Sequence, residues 1–233
     1  VLAGIDHATR HVLDTAAGFG DADVRAPSLL PGWTRGHVLT HLARNADGGR
    51  RLLGWARTGV EAAEYPSAQA RAAQIEAGAA RGASELLADV RESAALFAAE
   101  YRRMPADAWR RTVRWTSGQE RPAARAADSR LTEVLVHHVD LDAGYTPGQW
   151  PADFVAAMLG RVVASFTPRA GAPAMRLHAT DTGARHTVGR DGDDAPTVRG
   201  TQSALLGWLM GRSAGEGLAV ADGGRLPEPP FLY

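Results

Sequence analysis

The chain has 233 residues, 45% hydrophobic and 22% charged, an ordinary globular composition with room for one large or two small domains. Its 26 basic and 26 acidic residues cancel, so charge favours neither nucleic acid nor an anionic membrane as a partner. There is no cysteine, which excludes disulfides, thiolate metal sites and cysteine nucleophiles and leaves His, Asp and Glu to hold any metal.

The opening Val1-Leu2-Ala3-Gly4-Ile5-Asp6-His7 has neither the basic region nor the apolar core of a signal peptide. No apolar run reaches the ~18 residues of a membrane span, so the expected location is cytoplasmic. Ile5, Ala8, Val12, Leu13 and Ala16 recur at helical spacing and predict a first helix over 5–18. A loop is expected from Asp21 to Ser28, closed by Leu30-Pro31-Gly32-Trp33. Thr34 is a good N-cap for a second helix with Val38, Leu39, Leu42, Ala43 and Ala46 as its apolar stripe. That helix runs past Gly48-Gly49 to Trp55, and Gly59 is its expected stop.

After Pro66-Ser67 the chain is rich in Ala, Glu and Arg, with Gly78 and Gly82 dividing it into a short and a long helix. Pro105 ends the second of these. The alternation from Trp109 to Trp115 and the turn at Thr116-Ser117-Gly118 predict a short strand or irregular excursion. A strongly apolar helix follows, Leu131-Thr132-Glu133-Val134-Leu135-Val136-His137-His138-Val139-Asp140-Leu141, capped by Asp128 or Ser129 and ended by Gly144.

Two prolines and a glycine between Tyr145 and Pro151 mark the best domain boundary. Beyond it we expect a helix over 152–166 and short strands at 174–179, 185–189 and 196–199. Turns at Asp181-Thr182-Gly183 and Asp191-Gly192-Asp193-Asp194 separate the strands. A helix carrying Leu205, Leu206, Trp208 and Leu209 and a last run Leu218-Ala219-Val220 complete the chain. The expected fold is α+β: an up-and-down four-helix bundle over 1–146, then a small α+β domain over 151–233.

Glu133 and His137 stand four residues apart, and i,i+4 side chains share a helix face with Cβ atoms ~5–6 Å apart. Such a pair alone is most often an exposed contact worth a few tenths of a kcal/mol. Here the apolar helix draws the carboxylate towards the core, where a cation is one way to satisfy it. Bundles build metal sites from facing helices, and His37 and His41 form a second i,i+4 pair upstream. His41 is the preferred third ligand because it lies deeper in its helix, beside Leu42 and Ala43. His37, in the first turn, is either a supporting neighbour or a cap. Two imidazoles and one carboxylate with open positions make the ligand set of a catalytic zinc site. His138 points about 100° away from His137 and reads as structural. Asp140 either orients a ligand imidazole or faces solvent. All the basic residues are arginine, so lysine Schiff-base chemistry is excluded.

The run Leu30-Pro31-Gly32-Trp33-Thr34-Arg35-Gly36-His37-Val38-Leu39-Thr40-His41-Leu42-Ala43-Arg44-Asn45-Ala46-Asp47, with Glu133 to Leu141, resembles the signature of the mycothiol-dependent maleylpyruvate isomerases. The resemblance extends over essentially the whole chain in its order of elements. It implies a DinB-like metal-binding bundle, with a divalent metal, usually zinc, on His41, Glu133 and His137. It also implies a C-terminal domain whose arginine, here Arg212 in Gly207-Trp208-Leu209-Met210-Gly211-Arg212, reaches the active-site cleft. Read without it, Arg212 is a cation at a helix C-terminus. The implied reaction uses mycothiol as the thiol cofactor or cosubstrate: a metal-activated thiolate adds to the cis double bond of maleylpyruvate, and its loss after rotation gives fumarylpyruvate. One alternative is a thiol S-transferase on the same scaffold, and another a non-catalytic, metal-stabilised binding bundle. The partners expected are a small electrophile and a low-molecular-weight thiol, with the chain a monomer or weak homodimer.

Overall fold

Eight helices and six short strands make up the computed structural model, which describes residues 1–166, 169, 172–189 and 195–230. By internal contacts the chain divides into two units, Val1–Gly144 and Tyr145–Tyr233.

The first unit is built on four long helices: α1 (Leu2–Ala17), α3 (Arg35–Thr58), α5 (Ala83–Arg102) and α6 (Ala124–Asp140). Both α1 and α3 pack against α5 and against α6, which closes a four-helix bundle, and α4 (Ala68–Ala79) lies along α3. Thr34 caps α3 by accepting from the His37 N–H, and Gly59 ends it with φ 78°, as the sequence predicts. Glycines at 48 and 49 survive inside α3 because neighbours need the space. A Cβ on Gly49 would stand 2.8 Å from Phe97, and one on Gly48 3.3 Å from the Tyr65 ring. Each glycine costs roughly 1 kcal/mol of helix stability, which the burial of an aromatic side chain, worth about 2–3 kcal/mol, offsets. Phe97 sits with Ile5, Leu52 and Leu53 in the core.

Several boundaries differ from those read off the sequence. The expected loop after α1 contains a short helix, α2 (Asp21–Arg25), which the Asp23 carboxylate starts by accepting from the Gly20 N–H at 2.8 Å. The excursion before α6 is a hairpin of β1 (Thr112–Arg114) and β2 (Glu120–Pro122). Helix α6 starts at Ala124, so Asp128 and Ser129 lie within it; Asp128 instead pairs with Arg125 at 3.2 Å. The helix ends at Asp140 rather than at Gly144, which supplies a later turn at φ 87°. Arg35 holds that end, donating to the Leu141 carbonyl at 2.6 Å and the Asp142 carbonyl at 2.7 Å. One guanidinium thus satisfies free carbonyls beyond α6 and ties them to the first turn of α3.

In the second unit α7 (Ala152–Phe166) and α8 (Gln202–Leu209) pack on each other and on a four-stranded sheet of order β4-β3-β5-β6. Strand β3 (Met175–Ala179) pairs antiparallel with β4 (Arg185–Val188) and parallel with β5 (Thr197–Gly200), and β6 (Ala219–Val220) pairs antiparallel with β5. Met175, Leu177 and Ala179 alternate inward along β3, the period-two pattern of a sheet with one covered face. The turn expected at 191–194 falls outside the described residues. No helix among the described residues is long and apolar enough to cross a membrane.

Candidate metal centre

His41 projects from the second turn of α3, and Glu133 and His137 from successive turns of α6, two helices that pack side by side. The tie between Arg35 and the end of α6 fixes their relative register. His41 Nε2 lies 2.7 Å from Glu133 Oε2 and 3.0 Å from His137 Nε2, and Glu133 Oε2 lies 3.2 Å from His137 Nε2. Three ligand atoms therefore converge on one point, and among the described residues this is the group so arranged. Metal–ligand lengths of 2.0–2.2 Å in a tetrahedron put neighbouring ligand atoms roughly 3.3 Å apart. The His41–Glu133 side would open by about 0.6 Å to fit that geometry and the other two sides by less.

Electrostatics define the charges in this triangle. Burial pulls His41 down to about 4, with the neighbouring His137 adding to the effect, so it is neutral near pH 7. Burial works to raise Glu133, but hydrogen bonds from His137 and His41 outweigh it and hold the carboxyl well below its usual range. Burial opposes a charged His137 as well, yet its hydrogen bonds to Asp140 and Glu133 push it up to about 9. The result is an imidazolium and a carboxylate beside a neutral imidazole.

Around the triangle, the sequence left several roles open. Asp140 is 0% exposed, and its Oδ2 accepts from His137 Nδ1 at 2.7 Å, leaving Nε2 to face the centre. It orients the His137 imidazole rather than facing solvent. His37 belongs to the cap: its Nδ1 accepts from the Thr34 N–H at 3.1 Å, and its Nε2 is 3.1 Å from Glu76. His138 Nε2 meets Thr15 Oγ1 at 2.8 Å across the bundle, a structural contact with α1. Arg212 belongs to the second unit, just beyond α8. It is buried, its N–H donates to the Gly207 carbonyl at 2.8 Å, and its Nη1 donates to the Met210 carbonyl at 2.7 Å.

Two neighbours escaped sequence reasoning. Arg71 on α4 donates from Nη2 to His41 Nδ1 at 3.0 Å, and its guanidinium lies 5.7 Å from the Tyr65 ring centre. Nothing in an Ala-rich helix marks one arginine as the one facing a histidine on another helix. Trp33, from the loop before α3, sets its ring 5.7 Å from that of His41, edge to face.

A helical bundle with a His–Glu–His cluster between two of its helices, followed by a small mixed sheet under two helices, defines the class of protein. Residues 5–142 match the family model described as the mycothiol maleylpyruvate isomerase N-terminal domain, and residues 149–231 match the model of its C-terminal domain. The chain belongs to this family. It is similar to the crystal structure of a mycothiol-dependent maleylpyruvate isomerase and to that of a histidine-to-alanine mutant of the enzyme. Each matches with a TM-score of 0.91 and 28% identity, over 99% of this chain and 95% of that chain. No curated protein matches this sequence.

Proposed function

We propose that the protein is a zinc- and mycothiol-dependent isomerase that converts maleylpyruvate to fumarylpyruvate. The observation that carries this is the convergence of His41, Glu133 and His137 within 3.2 Å of one another, in a chain of this family. These three residues, from the bundle domain of residues 1–146, would hold the metal. A divalent ion there would lower the pKa of a bound thiol, making it a thiolate at neutral pH. With no cysteine in the chain, the nucleophilic sulfur comes from outside.

The protein's own residues set up that chemistry. Asp140 keeps the His137 proton on Nδ1, so that Nε2 presents its lone pair when the ring is neutral. Trp33 packs edge to face with the His41 ring, 5.7 Å between centres, and helps to fix its orientation. Arg212, from the domain over 151–233, would hold a substrate carboxylate, or the enolate oxygen that develops on addition, through its charged fork. The thiol adds across the double bond, the resulting single bond rotates, and expulsion of the thiol restores the alkene as the trans isomer. Nothing is oxidised or reduced.

Elemental analysis combined with an assay of maleylpyruvate and mycothiol tests this reading. The expected result is about one zinc per chain and thiol-dependent formation of fumarylpyruvate. His41→Ala with His137→Ala should abolish the zinc, and full occupancy in that double variant would remove the site assignment. Arg212→Ala should keep the metal and lose turnover. A stable thiol adduct in place of the trans product would move the assignment to an S-transferase. Metal removal that unfolds the chain would identify a structural ion.

A further inference from the structure

One cation beside the metal centre has no part in the chemistry set out above: Arg71 on α4. Its Nη2 donates to His41 Nδ1 at 3.0 Å, and its guanidinium lies 5.7 Å from the Tyr65 ring centre. Both neighbours are neutral, because burial draws His41 down to about 4 and pushes the Tyr65 phenol up to about 12. The acids of the flanking segments are engaged elsewhere. Glu64 Oε2 accepts from the Thr116 N–H at 3.0 Å, and Glu76 Oε2 lies 3.1 Å from His37 Nε2. Glu133, one imidazole away from Arg71, has its charge committed to His41 and His137. No carboxylate among the described residues stands within 4.0 Å of the Arg71 guanidinium.

Arg71 is half-buried, and none of its nitrogens is both sealed and unpartnered, so its unused N–H groups face solvent. The triangle is open to solvent as well, with the Glu133 side chain 28% exposed and that of His137 15%. An anion carried in solvent therefore reaches both. Coordination through His41 Nε2 would leave the ring's proton on Nδ1, so that Arg71 faces a donor where it had an acceptor. The guanidinium loses that acceptor just as the centre gains positive charge, and an anion satisfies both.

We propose that Arg71 holds the carboxylate at the double-bond end of the substrate, on the carbon that receives the sulfur. This role rests on the isomerase reading, in which the thiolate adds conjugate to the ketone and so to the carbon bearing that carboxylate. Sulfur and carboxylate then share one carbon, which calls for an anion-holding group next to the metal ligands. Arg71 is separated from the triangle by the His41 ring alone. Its planar fork can grip a carboxylate through two parallel bonds. With that end held, the ketone end is free to swing about the new single bond.

Calorimetry on the zinc-loaded full-length protein tests the assignment, with maleylpyruvate and acetylpyruvate titrated separately in the absence of mycothiol. Acetylpyruvate keeps the diketo acid end and lacks the double-bond carboxylate. Arg71→Met should weaken maleylpyruvate at least about tenfold and leave acetylpyruvate within about twofold, with about one zinc per chain retained. Arg71→Lys, which keeps the charge, should recover most of the loss. Equal weakening of both ligands would make Arg71 a general support of the site, and unchanged affinity for maleylpyruvate would give its carboxylate to another group. Either result overturns the assignment while thiol-dependent isomerisation by the wild type stands. A wild type that fails to isomerise maleylpyruvate with mycothiol would remove the isomerase reading, and this role with it.

Discussion

His137 Nδ1 and Asp140 Oδ2 lie 2.7 Å apart, one turn of α6 separating two residues of which the second has no exposed surface. The bond sets both the tautomer and the tilt of the ring whose Nε2 faces His41 and Glu133. Asp140→Asn preserves shape but loses the charge that holds the proton on Nδ1. Metal affinity should fall by about 10–100-fold, as for other partners of ligand histidines. Competition against a chelator of known affinity measures it, and an unchanged affinity would reduce Asp140 to a packing residue.

The helices, and the pair Glu133 and His137, were legible because their periodicity and spacing are local properties of α6. His41 was reachable because a buried carboxylate implies a partner and few histidines lie on apolar faces. What could not be read is what depends on lateral packing. Arg71 meets His41 only because α4 lies along α3, and Arg130 is buried only because α6 turns it towards Leu42 and Asn45. The start of α6 was misplaced for a related reason: good capping residues at 128 and 129 were overridden by the hairpin, whose Arg111 carbonyl accepts from the Ala123 N–H and delivers the chain into the helix early.

Arg71 and a metal compete for the same imidazole. By donating to His41 Nδ1, Arg71 favours the tautomer with its proton on Nε2, the atom turned towards Glu133 and His137. Coordination through Nε2 needs the opposite tautomer, and the guanidinium also repels a cation. Arg71→Met should therefore tighten metal binding by at least about tenfold, ~1.4 kcal/mol. Weaker binding in the variant would mean that Arg71 supports the site by some other contact.

Metal uptake should release a proton. With its folded value pushed up to about 9, His137 carries a proton at pH 7 that coordination must displace, whereas His41, drawn down to about 4 by burial, is already neutral. Affinity should therefore rise about tenfold per pH unit from roughly pH 6 to 9 and level off above, each unit corresponding to one proton displaced. Calorimetry in buffers of different ionisation enthalpy at pH 7 should count about one proton per metal. A count near zero would place His137 in its neutral form before binding.

His138 gives the acid stability of the bundle a component independent of metal. Burial, with His11 adding to it, draws its folded value down to about 4, while an unfolded histidine titrates near 6.5. Between those values the unfolded chain binds more protons than the folded one, so stability is fully present above about pH 6.5 and drains away as pH falls towards 4. The full difference corresponds to ~3 kcal/mol. His138→Gln keeps a polar group within reach of Thr15 Oγ1 and removes the titration. Urea midpoints of both proteins, with metal stripped by chelator, should diverge with pH: the wild type should lose about 2–3 kcal/mol more than the variant between pH 7 and 4. The ionisations of His41 and His137 are common to both chains and cancel in the difference. Parallel losses would mean that protonated His138 is accommodated beside Thr15 by a local rearrangement of α1.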